Sequence, residues 1–557
     1  MTAPSFSCIA AYMKSRRALV LLAALWMLTL AGIQSVPLET HESFVLATAQ
    51  EMKTSGDWIV PRYNEELRLQ KPPMSYWATL LVSAADPLCS DIQIYHGRLV
   101  SLLAVLVMVL LTARTGEKLY GREAGSLAAL FLLCTNGILV ESHNAKPDAL
   151  YAAFCTLQLF AWIDAWKADT PSRQTSGALL GWAAAGLATL TKGPQVPAIF
   201  LLGILVFGLC GPKRWRGLGF LKPVRGAFVF CLLVLPWWLF FQQRLRALGA
   251  DIGDSQLSGS LLFQLPNWKK LLELYYVGQS LIQMLPVSLL LVCIVPPLIK
   301  KRMVKQSSTQ LLVYVSIAML LAFTCGGQYR KHYILPLLPV FSLLLACGIR
   351  FVTFQGFSKK WIIALCAVWA AGAVGCVGFM VRSGAFGVLA LYLGLSLLIV
   401  HLLKQELVSS FREQPAFTKQ LLVLAAACIP LGAAFTAYSP TMDAQVAEQE
   451  FKKCVGEQLP NNARLVCWKT PVNVLPFFVR KPVCAFTNRT ELVSYLATNQ
   501  GRSPVFVVLP SRELPAFNEG FKTRIVPVGL NRREQKIRLS FGQILGLQDQ
   551  RPVQNLE

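Results

Sequence analysis

Charge is what this sequence has least of. Of its 557 residues 15% are Asp, Glu, Lys or Arg, against about 25% in a soluble globular domain, and 29 are acidic. Set beside 54% apolar residues, that scarcity excludes an ordinary soluble enzyme. The 15 cysteines show no C-x-x-C or other metal-ligand spacing, so no metal site is read from them; most lie in or beside long apolar runs, where a free thiol behaves as a small hydrophobe. No internal repeat is visible, and this argues against a secondary transporter built from duplicated halves. What is present in excess is basic: 53 Lys and Arg give a net charge of +24. In a soluble chain that excess would suggest nucleic acid. Here it is spread between many long apolar runs, and a polytopic α-helical membrane protein is the better reading.

A span needs roughly 20 apolar residues to cross a hydrocarbon core of about 30 Å. About thirteen candidates lie near 18–38, 99–113, 124–140, 149–166, 175–190, 194–210, 227–242, 280–299, 309–326, 333–349, 361–380, 386–403 and 419–438. The fifth and sixth are short and share the break at Gly193-Pro194, so a re-entrant pair is the alternative there. Basic residues in short loops mark the cytoplasmic side. They recur in alternate loops, among them Lys14, Arg16 and Arg17; Arg114, Lys118 and Arg122; Lys213, Arg214 and Arg216; Lys300 to Arg302; and Arg412 with Lys419. This predicts a cytoplasmic N-terminus in a plasma (inner) membrane. It leaves three segments on the outer side: 39–98, 243–279, and everything after about 440. The basic start also fits a cleaved signal peptide, but the apolar run is long and no A-x-A site closes it.

After Tyr438 the composition shifts. Short β-rich runs at Arg464–Trp468, Val483–Phe486, Val505–Leu509 and Arg524–Val528 alternate with helices expected near 443–458 and 489–498, which reads as a small α/β domain of about 110 residues. It contains no Gly-rich phosphate loop and is assigned no chemistry. Cys454, Cys467 and Cys484 would permit one disulfide in an oxidising compartment, the pair left open.

The first outer loop is too long for a connector, and Phe44 to Ala49 and Tyr76 to Val82 are expected as interfacial helices. It opens with Glu39-Thr40-His41-Glu42-Ser43, continues through Glu51-Met52-Lys53-Thr54-Ser55-Gly56-Asp57-Trp58-Ile59-Val60-Pro61-Arg62, and reaches Gln70-Lys71-Pro72-Pro73-Met74-Ser75-Tyr76-Trp77. A carboxylate at the water boundary of a bilayer is costly to desolvate unless it has a partner or a task. Glu39 and Glu42, one helical turn apart, share a face if the stretch is helical.

These segments resemble the lipid-linked sugar transferases of the multi-span, C-type glycosyltransferase superfamily, particularly the aminoarabinose–lipid A transferases and the protein O-mannosyltransferases. Such proteins carry an acidic pair just after the first span, then E-M-x-x-S-G-D-W-I-V-P, then K-P with an aromatic shortly after. Glu51, Met52, Ser55 to Pro61 and Lys71-Pro72 match by identity. Asp148 at the start of the fourth span, Thr191-Lys192-Gly193-Pro194 after the fifth and Tyr333-Ile334-Leu335-Pro336 opening the tenth extend the resemblance, all on the side of the first loop. In an ungapped alignment anchored on Glu51-Met52, the family's Asp-Glu pair falls on His41-Glu42. A histidine then stands where a catalytic aspartate is expected.

The resemblance implies a membrane glycosyltransferase domain over 1–439 and an extracytoplasmic α/β domain over 440–557. It implies transfer of a monosaccharide from a polyprenyl-phosphate carrier to a lipid, glycan or protein acceptor of the envelope. The leaving phosphate calls for cations: Lys71 first, then Arg62, Lys192 and the Arg330-Lys331 pair, with His41 and Tyr333 as further substrate contacts. An acceptor hydroxyl calls for a carboxylate: Glu42 or Asp148, with Glu39 as substitute. No cofactor is required, no metal ligand is assigned, a divalent ion stays open, and nucleic acid is not a partner. The rival reading is a multi-span transporter or flippase for a lipid-linked or anionic substrate.

Overall fold

The elements found are those that apolar runs and turn chemistry call for, with one helix bend and one strand that they do not. The computed structural model describes residues 37–210, 218–250, 274–285, 287–291, 306–325, 329–349, 442–472, 474–499, 503–525 and 539–547. The spans expected at 361–380, 386–403 and 419–438, most of that at 18–38 and the second part of that at 280–299 lie outside these residues. The described elements begin with α1 (Thr40–Ser55), the short strands β1 (Arg62–Tyr63) and β2 (Glu66–Leu67), and α2 (Met74–Ala84). There follow α3 (Ile94–Tyr120), α4 (Arg122–Leu133), α5 (Asn136–Ser142), α6 (Pro147–Trp166), α7 (Pro171–Lys192), α8 (Gln195–Cys210), α9 (Pro223–Ala247), α10 (Tyr275–Gln283) and α11 (Ser307–Cys325). A 3-10 turn, Lys331–Leu337, leads into α12 (Leu338–Ile349). The C-terminal segment runs α13 (Met442–Gln458), β3 (Arg464–Trp468), α14 (Leu475–Val479), β4 (Val483–Phe486), α15 (Arg489–Asn499), β5 (Val505–Pro510), α16 (Leu514–Asn518), β6 (Phe521–Ile525) and β7 (Leu539–Leu547).

Two compact units emerge. One draws on Leu69–Ala78 and Arg98–Tyr438, the other on Gln34–Arg68, Thr79–Gly97 and Ser439–Glu557. Most of the first outer loop therefore packs with the C-terminal domain, although residues 98–438 intervene in the sequence.

In the helical unit, α3, α6, α9 with its lead-in, α11 and the segment Lys331–Gly348 are long and apolar enough to cross a membrane. Phe228, Leu232 and Leu239 of α9 stay exposed, as suits a face solvated by lipid. The single span expected at 124–140 is instead the pair α4 and α5, bent by 61°. Asn136-Gly137, a common turn pair, opens α5 just past that bend. The Thr135 hydroxyl donates to the Leu132 carbonyl (2.7 Å) and the Asn136 N–H to the Leu285 carbonyl (2.9 Å), so backbone groups released at the break find partners, as an apolar solvent demands. Helices α6 and α7 pack closely because α7 presents small residues. A Cβ on Gly181 would lie 2.2 Å from the Trp162 ring, so only glycine admits this approach.

In the second unit, the sheet has the order β4-β3-β5-β7-β6. β3 pairs parallel with β4 and β5, and β7 pairs antiparallel with β5 and β6. The first three expected strands stand where the sequence puts them; the fourth lies at Phe521–Ile525, earlier than 524–528, and β7 comes between it and β5. Cys454, Cys467 and Cys484 are all free thiols. Cys467 and Cys484 sit on adjacent strands but pack into opposite layers, which excludes a bridge between them, and burial pushes the Cys467 thiol up to about 12.

The end of the first outer loop is held by Asp86, which accepts hydrogen bonds from the Tyr95 hydroxyl, from His96 Nε2 (3.0 Å) and from the Leu88 N–H (2.9 Å). The Gln93 N–H donates to His96 Nδ1 (2.9 Å), which assigns the proton to Nε2. The Tyr95 hydroxyl, with His96 next, holds the Asp86 carboxyl down to about 2. A depressed carboxyl contributes stability that is complete above its ordinary pKa, near about 3.9, and is lost as pH falls through the folded value. The Leu88 amide should therefore keep its protection from hydrogen exchange at pH ~4 and lose it as pH approaches ~2. Asp86→Asn should flatten that profile; loss of protection already at pH ~5 would assign the loop's order to other contacts.

Candidate active site

In the helical unit, α6 opens with Lys146 as an extended N-cap, Pro147 in the first helical position and Asp148 in the first turn. A carboxylate there is favoured by the helix dipole. Lys192 closes α7, and Gly193 turns the chain at φ +110°. The Tyr151 hydroxyl spans the break that follows. It donates to the Gly193 carbonyl (3.1 Å) and accepts the Val196 N–H (3.1 Å), satisfying two backbone groups that the ends of α7 and α8 leave open.

That closure sets Lys192 against Asp148. The ammonium donates to Asp148 Oδ1, and the two side chains are 11% and 9% exposed, so each charge is largely removed from water and compensates the other. His332 Nε2 stands 3.8 Å from the same oxygen. Lys192 Nζ lies 4.8 Å from the centroid of the Tyr333 ring, within cation–π range, and the His332 and Tyr333 rings meet edge-on at 5.0 Å.

Lys71 belongs to this unit, and the ionisable side chains around the Asp148 carboxylate include Lys192, His332 and Lys71. Those acting on His332 include Lys192, Arg330 and Lys146. The Arg330 and Lys331 side chains are exposed, while the Arg330 N–H donates to the Tyr276 hydroxyl (3.2 Å). Gln70 Oε1, one residue from Lys71, is buried with no hydrogen-bond partner among the described residues. A buried orphan acceptor is costly and calls for a donor from water or a ligand.

The remaining candidates lie in the other unit. Glu39 and Glu42 form a reciprocal capping box on α1: Glu42 accepts the Glu39 N–H (3.0 Å), and the Glu39 side chain accepts the N–H of Glu42. Glu42 is fully buried, whereas Glu39 and His41 are exposed. Arg62 Nη1 donates to the Glu65 carbonyl (3.1 Å).

The matched motif between these residues is a folding device. Gly56 ends α1 at φ +71°, a left-handed C-cap that favours glycine. Asp57 Oδ1 accepts the N–H groups of Ile59 (3.0 Å) and Val60 (3.2 Å), turning the chain toward β1. Asn64 and Glu65, both at positive φ, make a two-residue hairpin turn, and the Glu51 carboxylate accepts both of their N–H groups (2.6 and 3.2 Å).

The structure thus brings Lys71, Asp148, Lys192 and Tyr333 into one cluster and adds Lys146, Tyr151 and His332, which the sequence does not single out. Among the described residues no group of three His, Cys, Asp or Glu side chains is placed to hold a metal ion. Converging cations can stabilise a developing negative charge, and a carboxylate among them can orient or deprotonate an attacking group.

Residues 14–248 match the family model described as dolichyl-phosphate-mannose-protein mannosyltransferase. An uncharacterized protein of Aquifex aeolicus is 30% identical over 209 residues, 36% of this chain and 38% of that one. The undecaprenyl phosphate-alpha-4-amino-4-deoxy-L-arabinose arabinosyl transferase 2 of Pseudomonas fluorescens is 27% identical over 280 residues, 46% of this chain and 48% of that one. The matched region spans about half the length of these curated relatives or less. The fold extends the likeness. ArnT from Cupriavidus metallidurans, in a crystal structure bound to undecaprenyl phosphate, superposes with a TM-score of 0.74 at 17% identity, covering 95% of this chain and 98% of that one. An Archaeoglobus fulgidus oligosaccharyltransferase reaches 0.52 at 10% identity, covering 92% and 74%. The chain resembles the C-type glycosyltransferase group in sequence and shares its helical, multi-span fold with a C-terminal sheet. It is a multi-pass membrane protein.

Proposed function

We propose that this chain is a glycosyltransferase that moves a monosaccharide from a polyprenyl-phosphate carrier to an acceptor of the cell envelope. The observation that carries the proposal is the buried Asp148–Lys192 pair with His332 and Lys71 acting on the same carboxylate, on a fold whose neighbour is described with undecaprenyl phosphate bound. In the reaction the bond between the sugar's anomeric carbon and the phosphate oxygen breaks, and its electron pair leaves with the phosphate. Lys71 and Lys192 stabilise that charge, with Arg62, Arg330 and Lys331 as further phosphate contacts. The acceptor oxygen forms the new bond, and its proton passes to a carboxylate, Asp148 first and Glu42 or Glu39 after it. An anionic acceptor needs no deprotonation, and the carboxylate then orients it. His41 and Tyr333 complete the proposed substrate contacts.

The reading places the protein in the inner membrane with a cytoplasmic N-terminus and residues 440–557 outside, since basic residues recur in alternate loops. The aminoarabinosyl donor named for the relatives is the first to try. Mass spectrometry of the cell envelope with and without the protein should show one monosaccharide missing from one acceptor; identical envelopes in donor-replete cells would refute the reading. A reporter active only outside the cytoplasm, fused after Glu557, should be on. Silence there would reverse the sidedness.

A further inference from the structure

Within the unit that joins the first outer loop to the C-terminal domain lies a cleft of about 610 Å³, inside the range of small-molecule sites. Its walls come from the last turns of α1, the β1–β2 turn and the segment 476–482. Those walls are tied together across the sequence. Asn64 Nδ2 donates to the Val483 carbonyl (2.9 Å) and its Oδ1 accepts the Val483 N–H (2.7 Å). Arg480 pairs with Asp91 (3.1 Å) and donates to the Ile92 carbonyl (3.3 Å). Reciprocal bonds of this kind fix geometry, so the cleft is built into the fold.

Its side chains retain hydrogen-bonding capacity. Lys481 uses two of its three N–H groups, on the Pro460 and Asn461 carbonyls (2.6 and 2.9 Å). Arg62 uses one of five. Each oxygen of Glu51 takes one backbone N–H and keeps a lone pair. Burial pushes the Glu51 carboxyl up and the Lys481 ammonium down, so both are partly withdrawn from water and a partner there counts for more. The cations Arg62, Arg480 and Lys481 are balanced by Glu51, Glu65 and Asp91. That balance disfavours a dense polyanion. It suits a ligand whose groups each donate and accept, and Pro476, Phe477 and Pro482 supply apolar surface for its C–H faces.

We propose that this cleft binds the saccharide headgroup of the acceptor, so that the acceptor is a glycan or glycolipid. The assignment rests on the transferase reading above and names the acceptor class for it. The probes are chitobiose and maltose, offered to the full-length protein in lipid nanodiscs and followed by saturation-transfer NMR, with a serine-rich hexapeptide as the protein-acceptor arm. Saturation should reach at least one disaccharide and not the peptide. Lys481→Met should weaken that binding about tenfold, as expected when a charged donor is removed. Thr54→Trp, which fills the cleft from an exposed position on α1, should do the same with unchanged thermal unfolding. Glu491→Ala, elsewhere in the C-terminal domain, should leave binding intact. In transfer to envelope extract the cleft variants should raise the acceptor KM with the donor KM unchanged. Saturation of neither disaccharide, preference for the peptide, or equal binding by wild type and Thr54→Trp overturns the proposal. Saccharide binding lost in the variants, in a protein that transfers no sugar, would retain the cleft and refute the transferase reading instead.

Discussion

Lys192→Met should lower transfer by about 100-fold or more, the scale set by removing one preorganised group that stabilises a developing charge. It should also destabilise the helical unit, because Asp148 is left buried without its main partner, a loss of about 3–5 kcal/mol where a buried pair is broken from one side. These two effects separate in the double variant. Asp148→Leu with Lys192→Met replaces both charges by apolar groups of similar length, and such replacements of buried pairs are often neutral in stability. The double variant should therefore regain most of the thermal stability that the single variant loses, yet stay as inactive. Recovery of transfer along with stability would reduce the pair to a structural role. His332→Asn serves as the contrast: His332 touches Asp148 only at 3.8 Å, so its loss should leave stability near wild type and show itself in the pH profile of transfer. The readouts are a thermal melt in detergent and initial rates with a polyprenyl-phosphate donor.

The legible part of this fold is the part that composition alone encodes. Long apolar runs declare helices, and all five membrane-length apolar segments among the described residues lie where runs are read. The strands at 464–468 and 483–486 stand where β-rich runs flanked by turns put them. What escapes the sequence is decided by contacts between distant residues. The bend between α4 and α5 carries the turn pair Asn136-Gly137, but its placement depends on the Leu285 carbonyl that receives the Asn136 N–H. β7 escapes because Leu539–Leu547 carries two glycines and a polar pair within its nine residues and owes its place to pairing with β5 and β6. The candidate site divides in the same way. Asp148 and Lys192 were legible through the family resemblance, but His332 was not, since the local text Arg330-Lys331-His332-Tyr333 gives no reason to prefer it. The 3-10 turn decides which of three consecutive basic side chains meets Asp148. The matched motif between Glu51 and Pro61 proves to fold a hairpin: Glu51, Gly56 and Asp57 all act on backbone groups, so a motif can be specific without holding the reacting atoms.

Lys71→Ala should leave less than about a third of wild-type transfer while the membrane fold persists, because a cation beside a leaving phosphate contributes to the reaction step and the main partner of Asp148 is Lys192. Lys71 stands in Gln-Lys-Pro-Pro, just before α2, and a proline pair there fixes the backbone that carries it. The neighbouring Gln70 Oε1 is the buried acceptor without a partner among the described residues, so this short segment offers both a cation and an acceptor in want of a donor. Lys71→Arg keeps the charge but replaces a compact ammonium by a broad planar fork. Its activity should fall between alanine and wild type if charge is the main requirement and geometry the second. Equal loss in Lys71→Ala and Lys71→Arg would make geometry decisive, whereas more than a third of wild-type activity in Lys71→Ala would remove Lys71 from the phosphate contacts. The deciding measurement is the KM for the carrier-linked donor beside kcat: a contact to the phosphate that strengthens as the bond breaks must lower kcat, while one made equally before and during the reaction changes KM alone.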